Sequence, residues 1–237
     1  MSFKTLLVAI GLFVSASPVL ADELPPEAIA ILQSGICQGC DLSGLDLSGR
    51  TLSFTTFTNA KLVGTNFKGA DISAQSVSGS NFSDADLSDA RITVGNLATN
   101  NFTRTRLVRA RLTVQGLMDN RFFAADLTDA RLHLDVCYHS DFTNTALTRV
   151  HASVTNTWRY CNVQGGNADG FIFSGFAYSQ TFAPHSLRDA RFTLAPLPSN
   201  PVVASDATIT ATDVTGTDVC WISKPAHVVG IASHECN

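Results

Sequence analysis

From Leu42 onward a large apolar residue returns at every fifth position. Leu42, Leu47, Leu52, Phe57, Leu62 and Phe67 open a run that continues in step through Cys137 and Phe142 to Leu147. Neither a helix of 3.6 residues per turn nor a strand of period two keeps such positions on one face, so the backbone must turn at fixed intervals. Two residues before many of these positions the side chain is small, as at Ala60, Ala70, Ala85, Ala90, Ala110, Ala125, Ala130 and Ala190. Asp, Asn, Ser, Thr and Gly fill most of the rest, the types that hydrogen-bond their own backbone in tight turns.

A second, stronger similarity recurs at twenty residues: Asp89-Ala90-Arg91, Arg109-Ala110-Arg111, Asp129-Ala130-Arg131 and Asp189-Ala190-Arg191 align at multiples of twenty. Four units per circuit follow, and one inward column then reads Leu62, Phe82, Phe102, Phe122, Phe142 and Phe182. Identical rings at an interstrand spacing of about 4.8 Å form a ladder. Outside, the same register superposes Asp89, Arg109, Asp129, Arg149 and Asp169, with Asp86, Arg106 and Asp126 alongside, so signs alternate from coil to coil. A neighbouring column, Arg91, Arg111 and Arg131, repeats one sign; its flanking aspartates favour a solvated structural ladder over an anion site.

Ala70-Asp71-Ile72-Ser73, Ala85-Asp86-Leu87-Ser88 and Ala125-Asp126-Leu127-Thr128 resemble the unit of the pentapeptide-repeat family: a small residue, Asp or Asn, Leu or Phe, Ser or Thr, then any residue. The resemblance implies an all-β chain, a right-handed quadrilateral β-helix (a solenoid with four pentapeptides per coil) whose central and small residues point inward. It is specific for fold and unspecific for function.

Four segments are expected: a signal peptide over 1–21, an N-terminal cap over 22–36, the repeat over 37–197, and an extended C-terminal capping segment over 198–237. Lys4 before the apolar run Leu6 to Val14, with Val19-Leu20-Ala21 behind it, reads as a secretory leader. Pro25-Pro26 followed by Ile29, Leu32 and Ile36 and broken by Gly35 reads as a short amphipathic helix. Between about 152 and 180 the central positions become Ala152, Thr157, Asn162, Asn167, Ile172 and Ala177, and the rule resumes in phase at Phe182. Distorted coils with a bulge or short loop are expected there. Trp158, Arg159, Tyr160, Phe171, Phe173, Phe176 and Tyr178 then stand as a candidate protein-interaction patch or as space-filling rings.

Charge adds little: from Asp41 to Arg191 there are 14 Lys and Arg against 13 Asp and Glu, and the acidic surplus lies in the end segments. That balance suggests neither a polyanion mimic nor a nucleic-acid partner. Six cysteines in an exported chain favour disulfides. Cys37 and Cys40, with Cys220 and Cys236, are candidate bridges, a structural Cys37–Cys40 link being favoured over a redox dithiol. Cys137 reads as a core residue and Cys161 as an outward one. His133, His139 and His151 take outward positions on different corners, which argues against a metal site with Cys137.

No residue is assigned to catalysis or to a metal, no cofactor is expected, and no transmembrane span is expected in the mature chain. The function these features support is that of a non-enzymatic, periplasmic or extracellular scaffold with an unidentified protein partner. The alternatives are a DNA-mimicking protector of topoisomerases, disfavoured by the leader and the near-neutral repeat, and an enzyme or metal-binding protein built on the irregular segment. Replacing Phe102 by Ala should cost about 3–5 kcal/mol in a denaturant melt, whereas a loss below about 1 kcal/mol would place that ring outside the core.

Overall fold

In many of the five-residue units the Asp or Asn accepts a hydrogen bond from the backbone N–H two residues ahead, as Asp41 does from Ser43 at 3.0 Å, Asp86 from Ser88 at 2.9 Å and Asp126 from Thr128 at 3.0 Å. This local turn bends the chain at the end of a short extended face. The structure, a computed structural model, describes residues 24–194, 206–209, 216–221, 227–229 and 234–235. Repeated bends wind them into a parallel β-solenoid of about 8 turns.

In the first complete circuit, β2 (Thr51–Thr58), which stacks on the short β1 (Ile36–Gln38), covers two faces, and single bridges at Lys61 and Asn66 mark the other two. The same course repeats through β3 (Asp71–Ser78), β4 (Arg91–Ala98), β5 (Arg111–Met118), β6 (Arg131–Tyr138) and β7 (His151–Arg159). Leu52 faces Ile72, which faces Ile92, Leu112 and Leu132 in turn. Three corners of the circuit use left-handed backbone. Gly64 and Gly69 take it without a Cβ clash, but Asp84, Asp89, Arg104, Arg109 and Asp129 adopt it too, at φ between 56° and 61°. The N–H groups of these corner residues donate to the next coil, Asp89 to the Val108 carbonyl at 2.8 Å and Arg109 to Thr128 at 2.9 Å.

The fourth corner lies inside the long strand, where Phe54, Val94, Val114, Leu134 and Val154 are buried. This additional core column is invisible to a period-five reading because it falls two residues after the central position. Its signal is the β-branched valine repeated at twenty residues. On the phenylalanine column, Leu62, Phe82, Phe102, Phe122, Phe142 and Phe182 are all buried. The rings of Phe82, Phe102, Phe122 and Phe142 stack with centroids 4.7 Å apart and interplanar angles falling from 14° to 1°. Thr65, Thr105 and Thr145, inside, donate to the carbonyls of Leu42, Phe82 and Phe122, and the Asn100 and Asn120 amides form a ladder bond at 3.0 Å.

The irregular stretch carries two opposite register errors. Between β6 and β7 the pairing slips so that Leu134 faces Val154 but Val136 faces Thr157, an extra residue in β7. From there Cys137 faces Trp158, and Ala152 faces Phe173 of β9 (Ile172–Ala183). Within β9 the slip reverses: Val154 faces Gly175, yet Trp158 faces Ala177. The short β8 (Val163–Gln164) then pairs Val163 with Phe182. The inward positions are therefore Trp158, Val163, Ala168 and Phe173, in place of Thr157, Asn162, Asn167 and Ile172. Phase is preserved across the stretch because one residue is gained and one lost.

At the N-terminal end, α1 (Pro26–Ser34) starts with Pro at its first position and stops at Gly35, whose left-handed backbone at φ 64° lets its N–H cap Ile31. The buried face is Leu24, Ala28, Ile31 and Leu32, while Ile29 and Ile36 are exposed, which corrects the expected Ile29–Leu32–Ile36 stripe. At the other end, β12 (Asp218–Trp221) stacks on β10 (Arg191–Leu194), and β14 (His234–Glu235) on β12. Likewise β11 (Asp206–Ile209) stacks on β9, and β13 (His227–Val229) on β11. The C-terminal segment thus goes on winding in parallel register. Residues 1–21 and Cys236 lie outside the described residues.

Cys37 and Cys40 are joined as a structural bridge at the first coil. Cys137 is joined to Cys161. The inserted residue turns Cys161 from an expected outward position into a fully buried one, beneath the coil of Cys137. A small apolar cavity of about 20 Å³ remains where Ala74 sits between Phe54 and Val94, lined also by Leu52, Phe57 and Phe82. Ala74→Val should fill it and raise stability by about 1 kcal/mol, read as a higher melting temperature at unchanged circular dichroism.

Candidate interaction surface

The expected aromatic patch divides. Trp158, Phe171 and Phe173 are buried, at 2%, 1% and 0% exposure, and are corrected from patch to core. The inserted residue in β7 rotates them inward, and they fill the space left by the small central residues. Trp158 stacks on Phe142 at 5.5 Å and on Phe182 at 6.0 Å, carrying the phenylalanine column past Val163, and its indole N–H donates to the Cys161 carbonyl at 3.2 Å. Phe171 and Phe173 pack against Phe192. The side chains of Phe176 and Tyr178 lie outside what the structure describes.

Tyr160 remains outside, at 41% exposure, on a left-handed corner at φ 55°. Around it gather Tyr138, stacked on His139 at 4.1 Å, with ring centroids 5.8 Å and 5.0 Å from Tyr160. The Arg159 guanidinium lies 4.7 Å from the Tyr160 ring centroid and donates to its hydroxyl at 2.9 Å. Asp119 approaches His139 at 3.7 Å one coil below. Tyr138 and His139 were missed in the sequence because they belong to a regular coil. Only the register between β6 and β7 places them beside Arg159 and Tyr160.

The charged columns pair by twos. Arg109 grips Asp89 and Arg149 grips Asp129 through two hydrogen bonds each, at 2.6 and 2.7 Å. Arg104 grips Asp84 in the same way at 2.7 Å. These bonds from arginine hold the three carboxyls below their ordinary titration range. Asp169 does not continue the Asp89 column as expected, because the inserted residue displaces it; Arg188 and Ser186 of the next coil donate to it instead. Asp86 and Asp126 turn to their own backbone.

Arg91, Arg111 and Arg131 face one another in consecutive strands, and His151 follows Arg131. The aspartates expected to flank and neutralise them are held by Arg109 and Arg149, and none of the three arginines is in an ion pair among the described residues. With Thr113, His133 and Ser153 they line an open groove of about 410 Å³. His133 and His151 therefore share one face, contrary to the expected separate corners, while His139 lies elsewhere. Among the described residues, no three His, Cys, Asp or Glu side chains gather as a metal site, and no helix is long and apolar enough to cross a membrane.

Circuits of four short faces, stacked in parallel register around a filled core, define a quadrilateral β-solenoid. Residues 36–73 and 66–93 match the family model for pentapeptide repeats, in 8 copies, and that part of the chain is built of pentapeptide repeats. HetL, a pentapeptide repeat protein involved in heterocyst differentiation regulation from the cyanobacterium Nostoc sp. strain PCC 7120, is 17% identical over 83% of this chain and 92% of its own, with a TM-score of 0.46. A pentapeptide repeat protein from the Arabidopsis thaliana thylakoid lumen is 27% identical over 48% of this chain and 68% of its own, with a TM-score of 0.22. No curated protein matches the chain.

The bonds from Arg188 and Ser186 pull the Asp169 carboxyl down to about 2 from an ordinary 3.8. Their stabilisation is complete above the unfolded value and is lost as pH falls through the folded one. Melting temperatures of the parent and of Asp169→Asn should differ most above pH 5, by the equivalent of about 1 kcal/mol, and converge near pH 2.

Proposed function

We propose that the chain is an exported, non-enzymatic scaffold that engages a protein partner through the corner formed by Tyr138, His139, Arg159 and Tyr160. The carrying observation is the exposed Tyr160 ring braced by Arg159. Tyrosine and arginine supply rigid contact area and directed donors at low entropic cost, the usual composition of interface hot spots. The corner sits on a coil locked by the Cys137–Cys161 bridge and the Trp158 stack, so it is presented without reorganisation.

Two disulfides and the leader-like residues 1–21 support an oxidising destination, periplasmic or extracellular. Crosslinking in the native host, followed by mass spectrometry, should recover one specific envelope or extracellular protein. Tyr138→Ala with Tyr160→Ala should reduce that capture at least tenfold while the thermal melt shifts by only a few degrees. Undiminished capture by this folded double variant would refute the corner as the interface.

A further inference from the structure

We propose that Arg91, Arg111 and Arg131 form a binding strip for a linear acidic polysaccharide lying along the solenoid axis. Among the described residues, four other exposed arginines meet carboxylates in the neighbouring coil, Arg104 with Asp84, Arg109 with Asp89, Arg149 with Asp129 and Arg188 with Asp169, while Arg106 and Arg121 lie in register with Asp86 and Asp126 and with Asn101 and Asp141. Here three guanidiniums stack strand upon strand with no carboxylate between them. Like charges in register destabilise a sheet face, and an external anion removes that penalty. Asp89 and Asp129 are held by Arg109 and Arg149, and Asp71, in register with Arg91, stands at one end of the column and leaves Arg111 and Arg131 without a facing carboxylate.

The strip's neighbours specify the chemistry. Two residues along each strand, Thr93, Thr113, His133 and Ser153 form a second column facing the same side. Cations beside hydroxyl and imidazole groups match a sugar chain that carries both carboxylates and hydroxyls. A polymer with one carboxylate per sugar has a charge repeat of the same order as the interstrand spacing of about 4.8 Å. The guanidinium fork receives carboxylate oxygens in pairs. Nucleic acid is the poorer fit: the groove is lined by no Phe, Tyr or Trp, and the second column's single imidazole, His133, cannot stack successive bases. A wider groove of about 680 Å³ at the C-terminal end of α1 is lined by Ser53, Ser73 and Thr93, which stand in register with Thr113 of the strip's groove. This surface is separate from the aromatic corner, and its ligand is independent of the protein partner.

The test is retention of protein expressed from the full chain on immobilised polygalacturonate. Its fully methyl-esterified form, duplex DNA and phosphatidylglycerol vesicles serve as comparisons. Polygalacturonate should bind, the uncharged ester should not, and binding should weaken with salt. Arg91→Gln, Arg111→Gln and Arg131→Gln combined should lower affinity at least tenfold. Removing the same number of charges from other columns of the wall, by Arg104→Gln, Arg106→Gln and Arg121→Gln, should change it by less than about twofold, each variant's fold being checked by circular dichroism. If the strip triple does not fold, Arg111→Gln alone should weaken binding about threefold. Equal losses in both triples, no loss in the strip variants, equal binding of the ester, or DNA or vesicles bound as tightly as polygalacturonate would overturn the proposal.

Discussion

Parallel strands in a solenoid stack at about 4.8 Å, and that distance governs the molecule. Each inward side chain meets its counterpart one circuit away at van der Waals contact, so every residue is judged by the column it joins. Phe82, Phe102, Phe122 and Phe142 satisfy the constraint with parallel rings. Thr65, Thr105 and Thr145 satisfy it by placing a hydroxyl under a carbonyl of the coil below, with Ala85 and Ala125 between them.

The same constraint explains how an irregularity is absorbed. One extra residue in β7 would turn every later side chain away from its column, so it must be cancelled, and β9 cancels it near Gly175. Between the two slips the core still has to be filled. Trp158 bridges Phe142 and Phe182 where the column itself holds only Val163, and the Cys137–Cys161 bond pins the coils where the shift begins. The distortion is thereby converted into the most aromatic part of the interior.

On the outside the spacing acts on charge. Columns of alternating sign close into two-pronged arginine–carboxylate pairs that lower each carboxyl's titration range. Such pairs are exposed and contribute little to stability individually, but they determine which charges are left over. The Arg91–Arg111–Arg131 strip and the Tyr138–His139–Arg159–Tyr160 corner lie outside these paired ladders.

The sequence by itself determined the circuit of twenty residues and the inward columns from Leu42 to Leu147, because a strictly periodic backbone makes position equivalent to direction. It could not place Trp158, Phe171 and Phe173, since two opposite one-residue slips leave the phase intact at both ends. The only trace was a second five-residue series, Trp158, Val163, Ala168 and Phe173, running one step out of phase. The Cys137–Cys161 bond and the capture of Asp89 and Asp129 by one arginine column rather than another were decided in three dimensions. Each depends on where a strand slips or which way a long side chain reaches, and neither is encoded in the local pattern.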